Sequence, residues 1–222
     1  MIVNGRDEEF NNAKGQNNNL HYWWKQDNSI DRFAPTLKDI MHRKKVLAIC
    51  GSTREYSANL SIIQYLADIS SNEIEFEIYR QLASLPHFNP DHDKDKAPEI
   101  VEEFRDKIRN ANGVLICTPE YVFSLPGALK NAIEWCVSTT VFSEKTVALI
   151  TASASGVKAH ESLQLIMKTI YADVREETQL LIQGAKGKVN AEGKITDAIT
   201  AQQLKELAAA FVKQLNKKHI SG

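Results

Sequence analysis

The stretch Val46-Leu47-Ala48-Ile49-Cys50-Gly51-Ser52-Thr53-Arg54-Glu55-Tyr56-Ser57-Ala58-Asn59 decides how the rest of the chain is read. Its consecutive apolar residues predict a buried strand, Gly51 ends it, and a hydroxyl-rich loop leads into a helix beginning near Ser57. Ser52, Thr53 and Ser57 offer hydroxyl donors, and Arg54 offers a planar cation. The first turn of the helix adds unpaired N–H groups and the positive end of its dipole, so the loop forms a cradle for an anion. It lacks Gly-x-x-x-x-Gly-Lys-Ser/Thr, which excludes a P-loop NTPase, and Gly-x-Gly-x-x-Gly, which argues against an ordinary dinucleotide turn. A terminal phosphate monoester suits such a loop better than a pyrophosphate.

Downstream, strand and helix patterns alternate. Leu60, Ile63, Leu66 and Ala67 follow helical spacing. Glu73-Ile74-Glu75-Phe76-Glu77-Ile78 then alternates strictly, which predicts a strand at a sheet edge with one charged face. The segment 82–98 reads as a solvated, Pro-punctuated loop; His87, His92 and its aspartates lack a regular metal-ligand spacing. A second helix carries Val101, Phe104, Ile108 and Ala111, and Gly113-Val114-Leu115-Ile116-Cys117 predicts a central strand.

The loop from Thr118 to Gly127 is a second candidate site, because Tyr121 and Phe123 lie between the end of a central strand and a helix start. Pro126 suits the first helical position, and Leu129, Ile133 and Cys136 continue the helix, with Lys130 and Glu134 spaced to pair. The strand Thr146–Ile150 runs into a third hydroxyl-rich loop containing Ser153 and Ser155, ahead of a helix with Leu163, Ile166, Met167 and Ile170. His160, near that helix start, reads as structural. Leu180-Leu181-Ile182 closes a fifth strand, the segment 187–196 predicts a polar turn or small hairpin, and Leu204, Leu207, Ala208, Phe211 and Leu215 mark a last helix.

The alternation predicts an α/β fold: a doubly wound, five-stranded parallel sheet of order 2-1-3-4-5 with helices on both faces. Ligands then bind beyond the carboxyl ends of the strands, where all three candidate loops leave the sheet. At 222 residues, 43% apolar and 25% charged, the chain has enough material for one sizeable core. A net charge of −1 gives no reason to expect nucleic acid as partner. No apolar run approaches membrane-spanning length and no signal-peptide pattern follows Met1, so no membrane association and a cytoplasmic location are expected. Cys50, Cys117 and Cys136 sit in apolar patterns and read as buried, reduced thiols.

Residues 1–43 read as a polar, Asn-rich extension, partly mobile, ahead of a domain spanning 44–222. Tyr22-Trp23-Trp24 carries too much apolar surface to be left in water; the arm docks on its own domain or a neighbouring subunit, or serves as a lid. A short helix is expected over 35–42.

The motif Gly51 to Asn59, together with Thr118-Pro119-Glu120-Tyr121, Ser124, Pro126-Gly127 and Leu129-Lys130-Asn131-Ala132-Ile133-Glu134-Trp135, resembles the NADPH-dependent FMN reductase family. That flavodoxin-like group contains quinone, chromate and azo-dye reductases. The resemblance implies FMN as bound cofactor, NADPH or NADH as co-substrate, and a small electron acceptor such as a quinone. It implies a flavin phosphate held by Ser52, Arg54, Ser57 and Asn59 with Leu60 in the same turn. The ring would lie along Pro119, Glu120, Tyr121, Val122 and Ser124, with Ser153 and Ser155 closing the other side. No side chain is expected to act as nucleophile, because the flavin carries the chemistry. The resemblance further implies a homodimer or homotetramer. The sequence departs from the family at Val122, where Asn is common, and at Gly156-Val157-Lys158, which replaces paired glycines. An electron-carrier flavodoxin is disfavoured by the near-neutral charge and the form of the phosphate loop; the alternative is a non-enzymatic flavin-binding or interaction module.

Overall fold

The computed structural model describes residues 43–93 and 97–217. The expected extension over 1–43, apart from Arg43, lies outside the described residues, as do Trp23-Trp24 and the short helix over 35–42. Five strands, β1 (Lys44–Cys50), β2 (Ile74–Tyr79), β3 (Gly113–Thr118), β4 (Thr146–Ser153) and β5 (Asp173–Gln183), form one sheet of order β2-β1-β3-β4-β5. Every pairing is parallel. The intervening helices are α1 (Ala58–Ile69), α2 (Glu99–Asn110), α3 (Gly127–Glu134), α4 (Val157–Thr169) and α5 (Ala198–Lys217).

Alternate residues of the inner strands feed two cores, which is why those strands read as continuous apolar runs. Leu47, Ile49, Val114, Ile116, Val147 and Leu149 pack with α2, α3 and α4 through Val101, Phe104, Leu129, Ile133, Leu163 and Met167. Val46, Ala48, Cys50, Leu115, Cys117 and Ile150 pack with α1 and α5 through Ile62, Ile63, Leu66, Leu204, Phe211 and Leu215. Full burial of one such side chain contributes about 1.5–3 kcal/mol. The alternating strand β2 lies at an edge, with Ile74 buried and Glu75 and Glu77 exposed. All three cysteines are free and buried, and Lys130 Nζ pairs with Glu134 at 2.6 Å.

The structure corrects four expectations. The fifth strand runs from Asp173 to Gln183, well beyond Leu180–Ile182. Its first half holds Arg175, Glu176 and Glu177, which a solvated edge strand tolerates, and its register with β4 shifts between Val147 and Leu149. The buried Thr178 hydroxyl sits at that irregularity, donating to the Val147 and Arg175 carbonyls. Helix α3 stops at Glu134, so Cys136 is buried in a following turn, and Pro126 stands at the N-cap. Finally, the segment 82–98 is not simply solvated. It contains 3-10 turns at Leu82–Ser84 and Pro90–Asp93, and Asp93 turns inward to an ion pair with Arg105 at 2.7 Å.

Candidate functional site

The loops leaving β1, β3 and β4 border a cleft of about 1080 Å³ at the carboxyl ends of the strands. Its first wall is the cradle. Ser57 caps α1 in extended conformation, its Oγ accepting from the Leu60 N–H at 3.2 Å and lying 4.0 Å from Cys50 Sγ. Ser52 Oγ accepts from the Arg54 N–H at 3.4 Å, curling the loop. No acidic residue occupies the first turn of α1, so the positive end of the helix is not neutralised from within. Ser52, Arg54, Ser57, Asn59 and Leu60 all line the cleft.

Asn59 is also bonded to two neighbouring strands. It is buried, its Nδ2 donates to the Ala152 carbonyl at 3.2 Å, and its Oδ1 accepts from Cys117 Sγ at 3.3 Å. Its amide therefore ties the cradle to β3 and β4.

The second and third loops are joined by Glu120. Its Oε1 accepts from the Gly156 N–H at 3.2 Å and its Oε2 from the Ala159 N–H at 2.9 Å. Gly156 is the N-cap of helix α4, with a φ of 84° and no capping side chain, so the carboxylate supplies the cap. Ser153 Oγ donates to the Glu120 carbonyl at 3.4 Å. The cleft is lined by Pro119, Tyr121 and Ser153, while Glu120, Val122, Ser124 and Ser155 are outside its lining. Both carboxylate oxygens of Glu120 are bonded at the start of α4.

Tyr121 and Ser124 exchange backbone hydrogen bonds at 3.0 Å around a two-residue turn. Both central residues have positive φ, 51° at Val122 and 57° at Phe123. Asn-Gly adopts this type I′ arrangement at least cost; for other residues the left-handed region costs roughly 1–2 kcal/mol each. Val122 is 96% exposed and Phe123 78% exposed, so this tip projects an apolar pair beside the cleft wall.

Sequence reasoning did not assign Tyr56, Arg80, Lys186 or the turn from Val189 to Gly193 to the site, yet all line the cleft. The turn is the predicted hairpin, bridged from Val189 to Ile195. It lies over α1, since a Cβ on Gly193 would come within 3.0 Å of Ser61 Oγ. A composition-based reading gives a polar turn no partner, and only the crossover from the far sheet edge brings it there.

Burial shifts the nearby thiols and imidazole toward their neutral forms. Burial pushes the Cys117 thiol well above its ordinary range. Burial also raises Cys50, against opposing hydrogen bonds from Ser52 and Ser57 and the charge of Arg80. His160, its Nδ1 2.9 Å from Thr151 Oγ1, is held below the usual imidazole value by burial and lies outside the lining. Among the described residues no group of three or more His, Cys, Asp or Glu could hold a metal ion, and no helix is long and apolar enough to cross a membrane.

A doubly wound parallel sheet of this order, with its cleft at the carboxyl ends of the strands, defines a flavodoxin-like fold. Residues 44–187 match the family described as NADPH-dependent FMN reductase, and the chain belongs to that family of oxidoreductases. It is 31% identical over 172 residues to the NADH:(hydroxy)cinnamate reductase subunit CrdA of Vibrio ruber, covering 75% of this chain and 84% of that one. It is 32% identical over 172 residues to the NAD(P)H-dependent FMN reductase PA1204 of Pseudomonas aeruginosa, covering 73% and 92%. Among solved structures, the flavoenzyme NAD(P)H:(acceptor) oxidoreductase FerB of Paracoccus denitrificans matches with a TM-score of 0.70 at 30% identity, covering 78% of this chain and 98% of that one.

Proposed function

We propose that the chain is an FMN-dependent NAD(P)H oxidoreductase whose second substrate is a quinone-like or other small acceptor, with chromate, an azo compound or free flavin sharing the same open slot. The observation that carries this reading is an anion cradle opening into a cleft of about 1080 Å³, just above the roughly 300–1,000 Å³ usual for small-molecule and cofactor sites. The residues fit the cofactor. Ser52, Arg54 and Ser57 offer hydroxyl and guanidinium donors to a phosphate, the start of α1 adds N–H groups, and Pro119, Tyr121 and Ser153 flank the space for a planar ring.

When bound, FMN supplies hydride acceptance at N5 from NAD(P)H and return of two electrons to an oxidant in a second half-reaction, a ping-pong sequence. The chain's part is to bind, orient and shield. Asn59 and Glu120 act through other groups, the first by fixing the cradle on β3 and β4, the second by locking the second loop to the start of α4. No side chain is needed as a nucleophile, in keeping with thiols held protonated by burial. The domain is taken as residues 44–222, with 1–43 an extension to it. A cytoplasmic homodimer or homotetramer is in keeping with the free thiols and with exposed apolar side chains such as Val137 and Leu165.

Micromolar affinity requires about 8 kcal/mol. A charge-assisted hydrogen bond contributes roughly 1.5–3 kcal/mol and a helix end about 0.3–2 kcal/mol. The cradle therefore shares the task with ring burial at the second loop. Arg54→Ala is expected to weaken FMN binding roughly ten- to a hundredfold with an unchanged far-UV spectrum, since Arg54 is exposed. Equal FMN affinity in the two proteins, measured by fluorescence titration, would overturn the cradle assignment.

A further inference from the structure

We propose that Arg80 is a second guanidinium for the flavin phosphate, reaching it from the β2 side of the cradle. The inference rests on the functional reading above. Strand β2 is hydrogen-bonded to β1 in parallel, with Tyr79 level with Ile49. Arg80 directly follows that last paired residue of β2, as Cys50, from which the cradle loop departs, directly follows Ile49. It lines the same cleft as Ser52, Arg54 and Ser57, and its charge is felt at the Cys50 thiol.

The charge balance gives Arg80 its task. A phosphate monoester carries about −1.5 to −2 at neutral pH. Arg54 supplies one positive charge and the start of α1 about half of one, so the cradle alone falls short of a dianion. Arg80 is exposed, and among the described residues no carboxylate forms an ion pair with it. A guanidinium whose charge is not already answered by the protein is suited to an anion from outside. Lys186 also lines the cleft, but it follows β5 at the opposite edge of the sheet and shares its side of the cleft with Glu192. The same phosphate-monoester chemistry occurs on the 2′-position of NADPH, and the test separates the two sources.

The experiment is a fluorescence titration of the flavin-free full chain with FMN and with riboflavin at several salt concentrations, comparing wild type with Arg80→Gln and Arg80→Lys. The expected result is an FMN Kd raised about tenfold in Arg80→Gln, with a shallower salt dependence and an unchanged riboflavin Kd. Arg80→Lys should fall between, because it keeps the charge and loses the planar fork. Equal loss of FMN and riboflavin would make Arg80 a structural residue and overturn the proposal. Unchanged FMN affinity, with a changed preference for NADPH over NADH, would assign it to the nicotinamide cofactor and overturn it equally. A wild-type chain that binds neither flavin would remove the functional reading itself, an outcome distinct from both.

Discussion

Arg105→Ala is expected to lower the stability of the domain by about 3–5 kcal/mol, a loss of roughly 6–20 °C in Tm for a domain of this size. Arg105 is buried, with only 4% of its surface exposed. Its Nε donates to the Trp135 carbonyl at 2.8 Å, and its guanidinium reaches Asp93 at 2.7 Å, Glu102 at 2.8 Å and Ser138 Oγ at 3.2 Å. The alanine variant leaves the Asp93 carboxylate buried with the Ser138 hydroxyl as its remaining bonded donor among these groups. Removing one member of a buried ion pair is costly for that reason, whereas an exposed pair such as Lys158–Glu161 contributes little.

The pair also fixes a pH dependence. Burial by itself pushes the Asp93 carboxyl up, but hydrogen bonds from Ser138 and Arg105, with the charge of Arg105, outweigh it and hold the group below its ordinary value. A carboxylate with a depressed folded pKa stabilises the fold above its unfolded value of about 3.9 and loses that contribution as pH falls through the folded value. Thermal unfolding followed from pH 7 down to 3 should show the wild-type advantage over Arg105→Ala shrinking in the acid range. A constant difference across that range would contradict the account of the pair.

Gly51→Ala is expected to cost about 1–3 kcal/mol of stability and roughly a hundredfold in FMN affinity. A Cβ at this position would lie 2.2 Å from Thr118 Oγ1, 2.7 Å from Thr118 Cβ and 3.1 Å from Leu129 Cδ2. The backbone cannot readily lift away, because the Gly51 N–H donates to the Cys117 carbonyl at 2.8 Å. Thr118 cannot readily yield, being fully buried with its hydroxyl on the Pro119 carbonyl at 3.1 Å. The clash therefore moves the cradle and the second loop against each other. Thr118→Gly added to Gly51→Ala removes both close atoms and should recover most of the flavin affinity. Unchanged FMN binding by Gly51→Ala, measured by fluorescence titration, would show that the height of the loop over β3 is unimportant.

What was legible in the sequence follows from how local each signal is. The run Val46–Cys50, the break at Gly51 and the cap at Ser57 are consecutive, and the structure places strand, loop and helix as they predict. The alternation over Glu73–Ile78 likewise identified β2 as an edge, since a charged face is accommodated only at the edges of a doubly wound sheet. The first half of β5 was hidden because Arg175, Glu176 and Glu177 break the apolar pattern there, and an edge position tolerates charges that an inner strand excludes.

Long-range partners were the least legible. Asp93 and Arg105 are separated by 12 positions, and the carbonyl of Trp135 by 30 more from Arg105. Glu120 answers N–H groups 36 and 39 positions away. A carboxylate in a site loop reads alike whether it faces a ligand or a helix end, and only the fold decides. Arg80 gains meaning in the same way, through the fold that brings it to the cleft shared with Ser52, Arg54 and Ser57. The tip at Val122-Phe123 carried a signal in the absence of Asn, but its strain became apparent only from the positive φ of both residues.

The central claim is tested most directly by an anaerobic visible spectrum of the purified protein with FMN, before and after NADPH is added and again after a quinone. The account predicts bleaching of the flavin band by NADPH and its return with the quinone, one half-reaction after the other. Bound flavin that neither NADPH nor NADH can bleach would contradict the proposed activity.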